Sequence, residues 1–498
     1  MSLLSAGRPA LRRIVAVTAS STRGRDISTL NPKSKTPQRV EVRSNSTSSA
    51  QTLPAGEVKA ASETATTTAA AHPLSVLPTP VLLRSLLIAT ISSKPYLLLP
   101  SLSALSFLCK PRAGPLFNVD RNPILHFILK TTFYRQFCAG ETPDEVRTTI
   151  RQLADMGFQG TIMTYAKETV FDAKTKTLTS LGVNTKGPGK PEDNEPTAAG
   201  GETFCPHIEA WRKGTVETIE LLGANDYLAL KLTGAGPSVT TAFSTDSPPP
   251  AQMLSALDEI STKCAARGVR ILVDAESHHF LAGILRVTLD LMRKFNKDGH
   301  ARIYNTYQAY LKSTPATLAR HLQAASDEGF TLGLKLVRGA YIASDERSLI
   351  HETKADTDAA YNGIAQGVLC KQLGAFGTEK PFPSVELFLA SHNKESVMKA
   401  HALRQQRLKE GLPTVPLGFG QLHGMSDEVS FGLLALKRGD NEPMVYKCST
   451  WGGLGECLAY LVRRAIENRD AVGRTEDEYR ALKKEVARRL RGLFKMSR

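Results

Sequence analysis

The segment Tyr460-Leu461-Val462-Arg463-Arg464-Ala465-Ile466-Glu467 carries the residue types best suited to chemistry. At helical spacing Tyr460, Arg463/Arg464 and Glu467 recur at i, i+3/i+4 and i+7 and share one side. Leu458, Leu461 and Ala465 supply the packed side. Two adjacent guanidiniums on such a stripe can grip one carboxylate with bidentate geometry. The bland reading is a solvated helix with Arg–Glu pairs one turn apart, worth a few tenths of a kcal/mol. Periodicity alone weighs the two equally.

Other polar and charged residues follow short apolar, β-branched runs: Lys231, Asp274-Ala275-Glu276, Gln308, the group Lys335, Val337, Arg338, Gly339 and Tyr341, then Ser391-His392-Asn393, Gln421-Leu422-His423-Gly424, and Cys448. Singly, each reads as a rim salt bridge or a cap. The runs that carry them number eight: Gly160–Tyr165, Tyr227–Leu232, Val269–Asp274, Arg302–Gln308, Thr331–Val337, Val385–Ala390, Val415–Gly420 and Met444–Cys448. Stretches of helical periodicity lie between them, such as Pro250–Arg267, Pro315–Glu328, Asp356–Gly374 and Lys394–Lys409, and Leu454–Asn468 follows the last. Eight strand–helix units over about 310 residues predict an α/β fold, a distorted (βα)8 barrel with extra N-terminal helices, rather than a doubly wound sheet. In such barrels chemistry sits at the carboxyl ends of the strands. Jointly, the polar strand ends therefore predict a catalytic mouth.

Several chemistries are excluded or disfavoured. There is no GxxxxGK[ST] phosphate loop and no HExxH, and Gly234-Ala235-Gly236 lacks the third glycine of a dinucleotide fingerprint. The seven cysteines are scattered with no CxxC pair and no zinc spacing, so free thiols in a reducing compartment are expected, and no metal site. The net charge of +15 is concentrated at the ends: +7 in residues 1–45 and +5 in residues 473–498. A nucleic-acid partner therefore loses most of its support.

Residues 1–25 hold five arginines, many Ser/Thr and no acid, the composition of a mitochondrial transit peptide, here bounded at 1–45. Residues 46–72 read as a disordered linker, 73–130 as an N-terminal helical segment, 131–472 as the barrel domain and 473–498 as a basic tail. Within 73–110 the greasy runs are interrupted by Arg84, Lys94 and prolines, and none reaches the ~18 apolar residues of a membrane span. Packing against the barrel is the bland reading; shallow attachment to a membrane surface is the sharper one. Two polar insertions, 184–203 and 237–250, read as surface loops.

Taken together, KLTG (231–234), ILVDAE (271–276), IYNTYQAYLK (303–312), LKLVRGAY (334–341), ASHN (390–393), FGQLHGM (419–425) and LAYLVRRAIEN (458–468) resemble, in order, the motifs of mitochondrial proline dehydrogenases of the fungal type. The resemblance covers roughly residues 75–470. It implies FAD held non-covalently in the barrel and oxidation of L-proline to Δ1-pyrroline-5-carboxylate. Electrons would pass to ubiquinone at the inner mitochondrial membrane, on the matrix side. It implies that Arg463 and Arg464 clamp the proline carboxylate with Lys231 as a third cation. Tyr460 and Leu422 would line the pocket, and Asp274 would sit near the ring nitrogen. For FAD it implies Gln308, Lys335, Val337 and Gly339 around the isoalloxazine, with Lys335 near N1/N5. Asp274 and Glu467 join the cofactor set. His392 and Asn393 would hold the ribityl, pyrophosphate or adenine, and Lys354 and Thr357 are weaker pyrophosphate candidates. Glu141 would pair with an active-site arginine as a lid.

Two positions depart from the family pattern. Lys335 stands where bacterial members commonly have Arg, which keeps the charge and loses the fork. Cys448 stands where the family usually has a tyrosine against the proline ring, and Tyr446, two residues earlier, shares its strand face. A cysteine there makes a roomier pocket and points to weaker proline binding or tolerance of 4-hydroxyproline. The alternatives are therefore a hydroxyproline dehydrogenase, a Schiff-base barrel lyase using Lys231 or Lys335, and a basic membrane-associated scaffold with no flavin.

Overall fold

In a closed parallel barrel every strand is covered on both faces, so alternate positions must fill two different compartments. The computed structural model describes residues 73–109, 116–165, 168–172, 177–181, 204–342, 345–437, 442–467 and 472–496. The expected presequence (1–45), linker (46–72) and insertion 184–203 lie outside the described residues. Eight strands form the barrel: β1 (Gly160–Tyr165), β2 (Tyr227–Leu230), β3 (Arg270–Val273), β4 (Ile303–Gln308), β5 (Leu332–Val337), β6 (Val385–Ala390), β7 (Leu417–Leu422) and β8 (Met444–Trp451). Each pairs in parallel with its sequence neighbours, and β1 pairs with both β2 and β8 to close the cylinder. A two-stranded antiparallel hairpin, Glu168–Asp172 with Thr177–Leu181, follows β1.

Outward positions such as Leu228, Ile271, Leu334, Leu387, Phe419 and Val445 join the main core beneath the helices. Inward positions build a second cluster of Ile162, Tyr227, Leu272, Tyr304, Phe388 and Tyr446. Its rings meet edge-on, Tyr227 to Tyr446 at 5.0 Å and Tyr227 to Phe388 at 5.2 Å between centroids. Gly418 and Gly420 of β7 make room for that plug. A Cβ would fall 2.8 Å from Phe388 Cδ2 at Gly418 and 2.7 Å from Phe388 Cε1 at Gly420. Below the plug, at the amino ends of the strands, a polar floor is fully engaged. Arg270 lies 3.6 Å from Glu386 and donates to Tyr227 Oη at 3.0 Å, while Tyr304 Oη donates to Glu386 at 2.6 Å.

Three differences from the sequence reading have physical causes. Strand β8 runs on through Trp451, three residues past the expected Cys448, because Ser449, Thr450 and Trp451 keep pairing with β1. Segment 237–250, read as a loop, contains the helix Pro237–Ser244, in which Val239 and Phe243 at i, i+4 are buried; its Ser/Thr/Pro content hid that pair. The stretch read as a basic tail is the helix Val472–Met496. Tyr479, Leu482 and Val486, spaced i, i+3, i+7, pack on the main core. Arg489 donates to the carbonyls of Leu74, Ser75 and Leu77 at 3.3, 3.1 and 2.7 Å. High charge density masked this amphipathic pattern.

The greasy N-terminal segment forms the helices Thr79–Ser92, Pro95–Leu108 and Pro123–Leu129. Helix Leu454–Glu467, which follows β8, has its apolar side in a separate cluster. There Leu454, Leu458 and Val462 pack with Val119, Leu129 and Tyr134, and with Leu105 and Leu108. The N-terminal segment, not the barrel alone, therefore backs this helix.

Candidate active site

The two-residue period that fills the barrel also aims the site. Continuing the inward parity from Tyr227, Leu272, Tyr304 and Tyr446 toward the carboxyl ends brings Lys231, Asp274, Gln308 and Cys448 to the same face. Register sets Lys335 beside Thr306 and Val337 beside Gln308, and it sets Cys448 beside Leu422.

These side chains meet. Lys335 Nζ donates to Asp274 Oδ1 at 2.6 Å, and Lys231 Nζ lies 3.6 Å from Asp274 Oδ2. Burial pushes the Asp274 carboxyl up, but Lys335 and Lys231, with Arg464 adding a weaker pull, overrule it and hold it below the usual carboxylate range. Burial, helped by the charge of Asp274 and opposed by the two lysines, pushes the Cys448 thiol up to about 11. Cys448 is thus a neutral thiol at physiological pH, a small wall and not a nucleophile. Leu422 is 46% exposed at the rim of the mouth.

Tyr446 does not supply the missing phenol. It shares the inward face with Cys448, but one step deeper, where it is 2% exposed within the aromatic plug.

The helix Leu454–Glu467 brings its cationic side to this mouth. The Arg464 guanidinium sits between two rings, 5.5 Å from the Tyr341 centroid and 5.7 Å from Tyr460. Arg464 Nη2 also donates to Tyr341 Oη at 3.4 Å, and Arg463 lies 5.9 Å from the Tyr460 centroid. Three cations, Lys231, Lys335 and Arg464, therefore act on one carboxylate, Asp274, and Arg463 is the chain neighbour of the third. The side chain of Glu467 is outside the described residues. Glu141, expected as a lid partner of an active-site arginine, takes Lys130 at 2.6 Å and His126 at 3.1 Å, and accepts from Leu454 N at 3.0 Å. It thus caps the amino end of the arginine helix, where a carboxylate complements the helix dipole.

The remaining candidates line the ends of β5 and β6. Arg338 donates to Asp358 at 2.7 Å and to the hydroxyls of Ser391 and Ser396 at 2.9 Å each, and stacks 4.3 Å from the Tyr361 centroid. Asp358 also pairs with Lys354, whose side chain is 79% exposed, which ties Lys354 to this patch, whereas Thr357 Oγ1 donates to Thr353 O at 3.4 Å within its own helix start. Asn393 caps helix Lys394–Lys409 by accepting from Ser396 N at 2.9 Å. His392 Nε2 accepts from Leu422 N at 3.2 Å, linking β6 to β7. Gln308 Nε2 donates to Glu276 O at 3.2 Å. Gly339 has φ +137° and its hydrogen faces the Tyr310 ring, where a Cβ would lie 2.4 Å from Cδ1; only glycine fits.

Sequence reasoning assigned no role to Tyr341 or Arg338, although both stand in LKLVRGAY. A lone residue after a strand reads as rim, and only the fold shows Tyr341 against Arg464. Glu276 was likewise unassigned; it is 3% exposed and accepts from Thr233 N at 3.1 Å, fixing the end of β2. Among the described residues no cluster of three or more His, Cys, Asp or Glu could hold a metal ion.

The family model described as proline dehydrogenase matches residues 147–477. Hydroxyproline dehydrogenase of Mus musculus is 32% identical over 391 residues, covering 73% of this chain and 83% of that protein. The probable mitochondrial proline dehydrogenase of Schizosaccharomyces pombe is 27% identical over 449 residues, covering 82% and 88%. Among solved structures, proline utilization A from Bdellovibrio bacteriovorus, inactivated by N-propargylglycine, superposes with a TM-score of 0.55 at 16% identity. That match covers 78% of this chain and 38% of that protein, so the chain spans under two-fifths of its length and the likeness concerns the fold.

Proposed function

This chain belongs to the proline dehydrogenase family, and from that premise we propose that it oxidises L-proline to Δ1-pyrroline-5-carboxylate with FAD and passes the electrons to ubiquinone at the inner mitochondrial membrane. The observation that carries the reading is the cation-rich mouth. Lys231 and Lys335 share Asp274 at the strand ends, beside the ring-stacked Arg464 and its neighbour Arg463.

Proline is a zwitterion on a compact five-membered ring, so the site must fix a carboxylate at one end and a nitrogen at the other. Arg463 and Arg464 clamp the carboxylate, Lys231 adds to that field, and Tyr460 and Leu422 border the ring. Asp274 faces the ring nitrogen, which must lose its proton before its lone pair can support the iminium. Closing the ring between these groups supplies proximity and orientation.

The donor set suits an anionic flavin dinucleotide. Lys335 is a buried cation near the mouth, and Arg338, held by Asp358, Ser391 and Ser396, adds positive charge at the ends of β5 and β6 beside the start of helix Lys354–Leu369. Lys335, Gln308, Val337 and Gly339 would border the ring system. His392, Asn393, Lys354 and Thr357 would border the ribityl-phosphate part, and Glu467 would belong to the same cofactor set. FAD, when bound, is the hydride acceptor; Lys335 favours the negative charge that gathers on its ring. A lysine nucleophile of the Schiff-base type needs neighbours that favour a free amine, whereas both lysines here face one carboxylate. Purified protein is expected to be yellow and to bleach when L-proline is added without oxygen. A colourless protein that takes up no FAD refutes the reading.

One observation supports a broader substrate range. Cys448 is smaller than the tyrosine that the family resemblance implies at this position, and Tyr446 is committed to the plug. On this reading the site would accommodate a 4-hydroxyl on the ring. Comparable kcat/KM for L-proline and trans-4-hydroxy-L-proline is expected, and Cys448→Tyr should lower the hydroxyproline value selectively by about 10- to 100-fold. Strong rejection of hydroxyproline by the unmodified protein would count against this pocket assignment.

A further inference from the structure

Strand β8 alternates between the two compartments of the barrel. Tyr446 and Cys448 face inward, so Val445 and Lys447 face the helices. Outward positions on the other strands hold apolar residues such as Leu228, Ile271 and Phe419. Lys447 instead buries a charged side chain there, 2% exposed. An ammonium is costly to bury unless its protons find partners. Lys447 engages all three of its donors. Its Nζ donates to Met425 O at 2.8 Å, to Leu422 O at 3.4 Å and to Asp427 Oδ1 at 2.8 Å. Asp427 is in turn joined to the last helix, its backbone N donating to Glu478 Oε1 at 3.1 Å.

Two of the three acceptors are backbone carbonyls of the segment between β7 and helix Asp427–Leu434. Other ties hold the same segment: His423 N donates to Cys448 O at 2.7 Å, and Gln136 Nε2 donates to Gly424 O at 2.9 Å. The segment begins at Leu422, whose side chain stands at the rim and whose backbone is in register with Cys448. Behind it lies a cavity of about 30 Å³ bordered by Arg84, Gln136, His423, Gly424, Asp427 and Lys447. A released segment therefore has room to settle back from the mouth. A buried ion pair by itself is weak evidence for a gain in stability, since apolar residues of similar volume often do as well. What a leucine at position 447 could not do is hold two carbonyls in place.

We propose that Lys447 is a positioning residue for the substrate pocket, which grips the carbonyls of Leu422 and Met425 from outside the barrel and so keeps the Leu422 side chain against the bound ring. It touches no substrate and acts through Leu422. The proposal rests on the functional reading above, in which Leu422 borders the proline ring. A wall displaced by about 1 Å is enough to cost an order of magnitude or more in use of the substrate.

Lys447→Met alone would strand the Asp427 carboxylate in the interior and should unfold readily. The test is therefore Lys447→Met/Asp427→Asn, which removes both charges together. Its FAD content and melting temperature should lie near those of the unmodified protein. With an artificial electron acceptor, its KM for L-proline should rise about tenfold while kcat stays within about threefold. The deciding measurement is a cycle with Leu422→Ala. That substitution alone should raise KM, and combining it with Lys447→Met/Asp427→Asn should raise KM little further, because both act through one side chain. An unchanged KM in Lys447→Met/Asp427→Asn overturns the proposal, and so do effects that simply multiply across the cycle. Failure of that variant to fold, or loss of FAD and thermal stability in step with kcat, also overturns it, since a purely structural lysine would behave so. Bleaching of the unmodified protein by L-proline tests the functional reading by itself. No bleaching there sinks that reading, whereas normal bleaching with an uncoupled cycle removes only the role of Lys447.

Discussion

Arg464→Ala is expected to raise the KM for L-proline by roughly 100-fold, equivalent to about 2.7 kcal/mol of lost carboxylate binding. The guanidinium is held between the rings of Tyr341 and Tyr460, so its fork is oriented before substrate arrives and little side-chain entropy is lost on binding. Arg464→Lys should recover only part of the loss, because an ammonium keeps the charge but not the bidentate geometry or the stacking. Steady-state assays with an artificial electron acceptor read this directly. An unchanged KM in Arg464→Ala would remove this residue from the clamp and with it the main support for an amino-acid substrate.

Asp274→Asn has the second large effect. The substitution leaves Lys231 and Lys335, with side chains 7% and 12% exposed, facing a neutral amide. Breaking one partner out of a buried charge cluster costs on the order of 3 kcal/mol, and kcat/KM for proline should fall by about 100-fold or more as the pocket loses its counter-charge. The pH dependence has a definite sign. The Asp274 carboxyl is held below its usual range, so its contribution is present above the unfolded-state pKa and is lost as pH falls through the folded-state value. Thermal melts of the unmodified protein should drop more steeply on acidification through the carboxylate range than those of Asp274→Asn. Parallel curves would show that the two lysines do not act on Asp274 in solution.

The barrel was legible because its strands repeat one short pattern. Runs such as VRILVD and TLGLKLVR place an apolar residue at nearly every outward position of the strand and end in a charge, so both strand and mouth are written locally. The candidate site residues on the strands follow from that parity, which is why Lys231, Asp274, Lys335 and Cys448 converge. Contacts between distant elements were not legible. Nothing near Tyr341 announces Arg464, which lies on another element, and nothing near Glu141 announces the amide of Leu454. The last helix was hidden for a different reason: its apolar stripe is thin, and the charges that outnumber it, Glu485 with Arg488 and Arg489 among them, look in sequence like a solvated tail. Segment 237–250 was missed because one apolar pair, Val239 and Phe243, is too short a pattern to outweigh its prolines and serines.

The backing of the arginine-bearing helix by Leu105, Leu108, Val119 and Leu129 changes what counts as the minimal working piece of the chain. A truncation cut at the first strand would keep all eight strands and their hydrogen bonds and could still form a closed cylinder. Its last barrel helix, however, would lose its backing: Leu454, Leu458 and Val462 would face water, and Arg463 and Arg464, the proposed carboxylate clamp, would lose their aim. Such a fragment also loses Leu74, Leu82, Val146 and Leu153 from the main core, so it should melt below the whole chain as well as being nearly inert, an outcome easily mistaken for a damaged pocket.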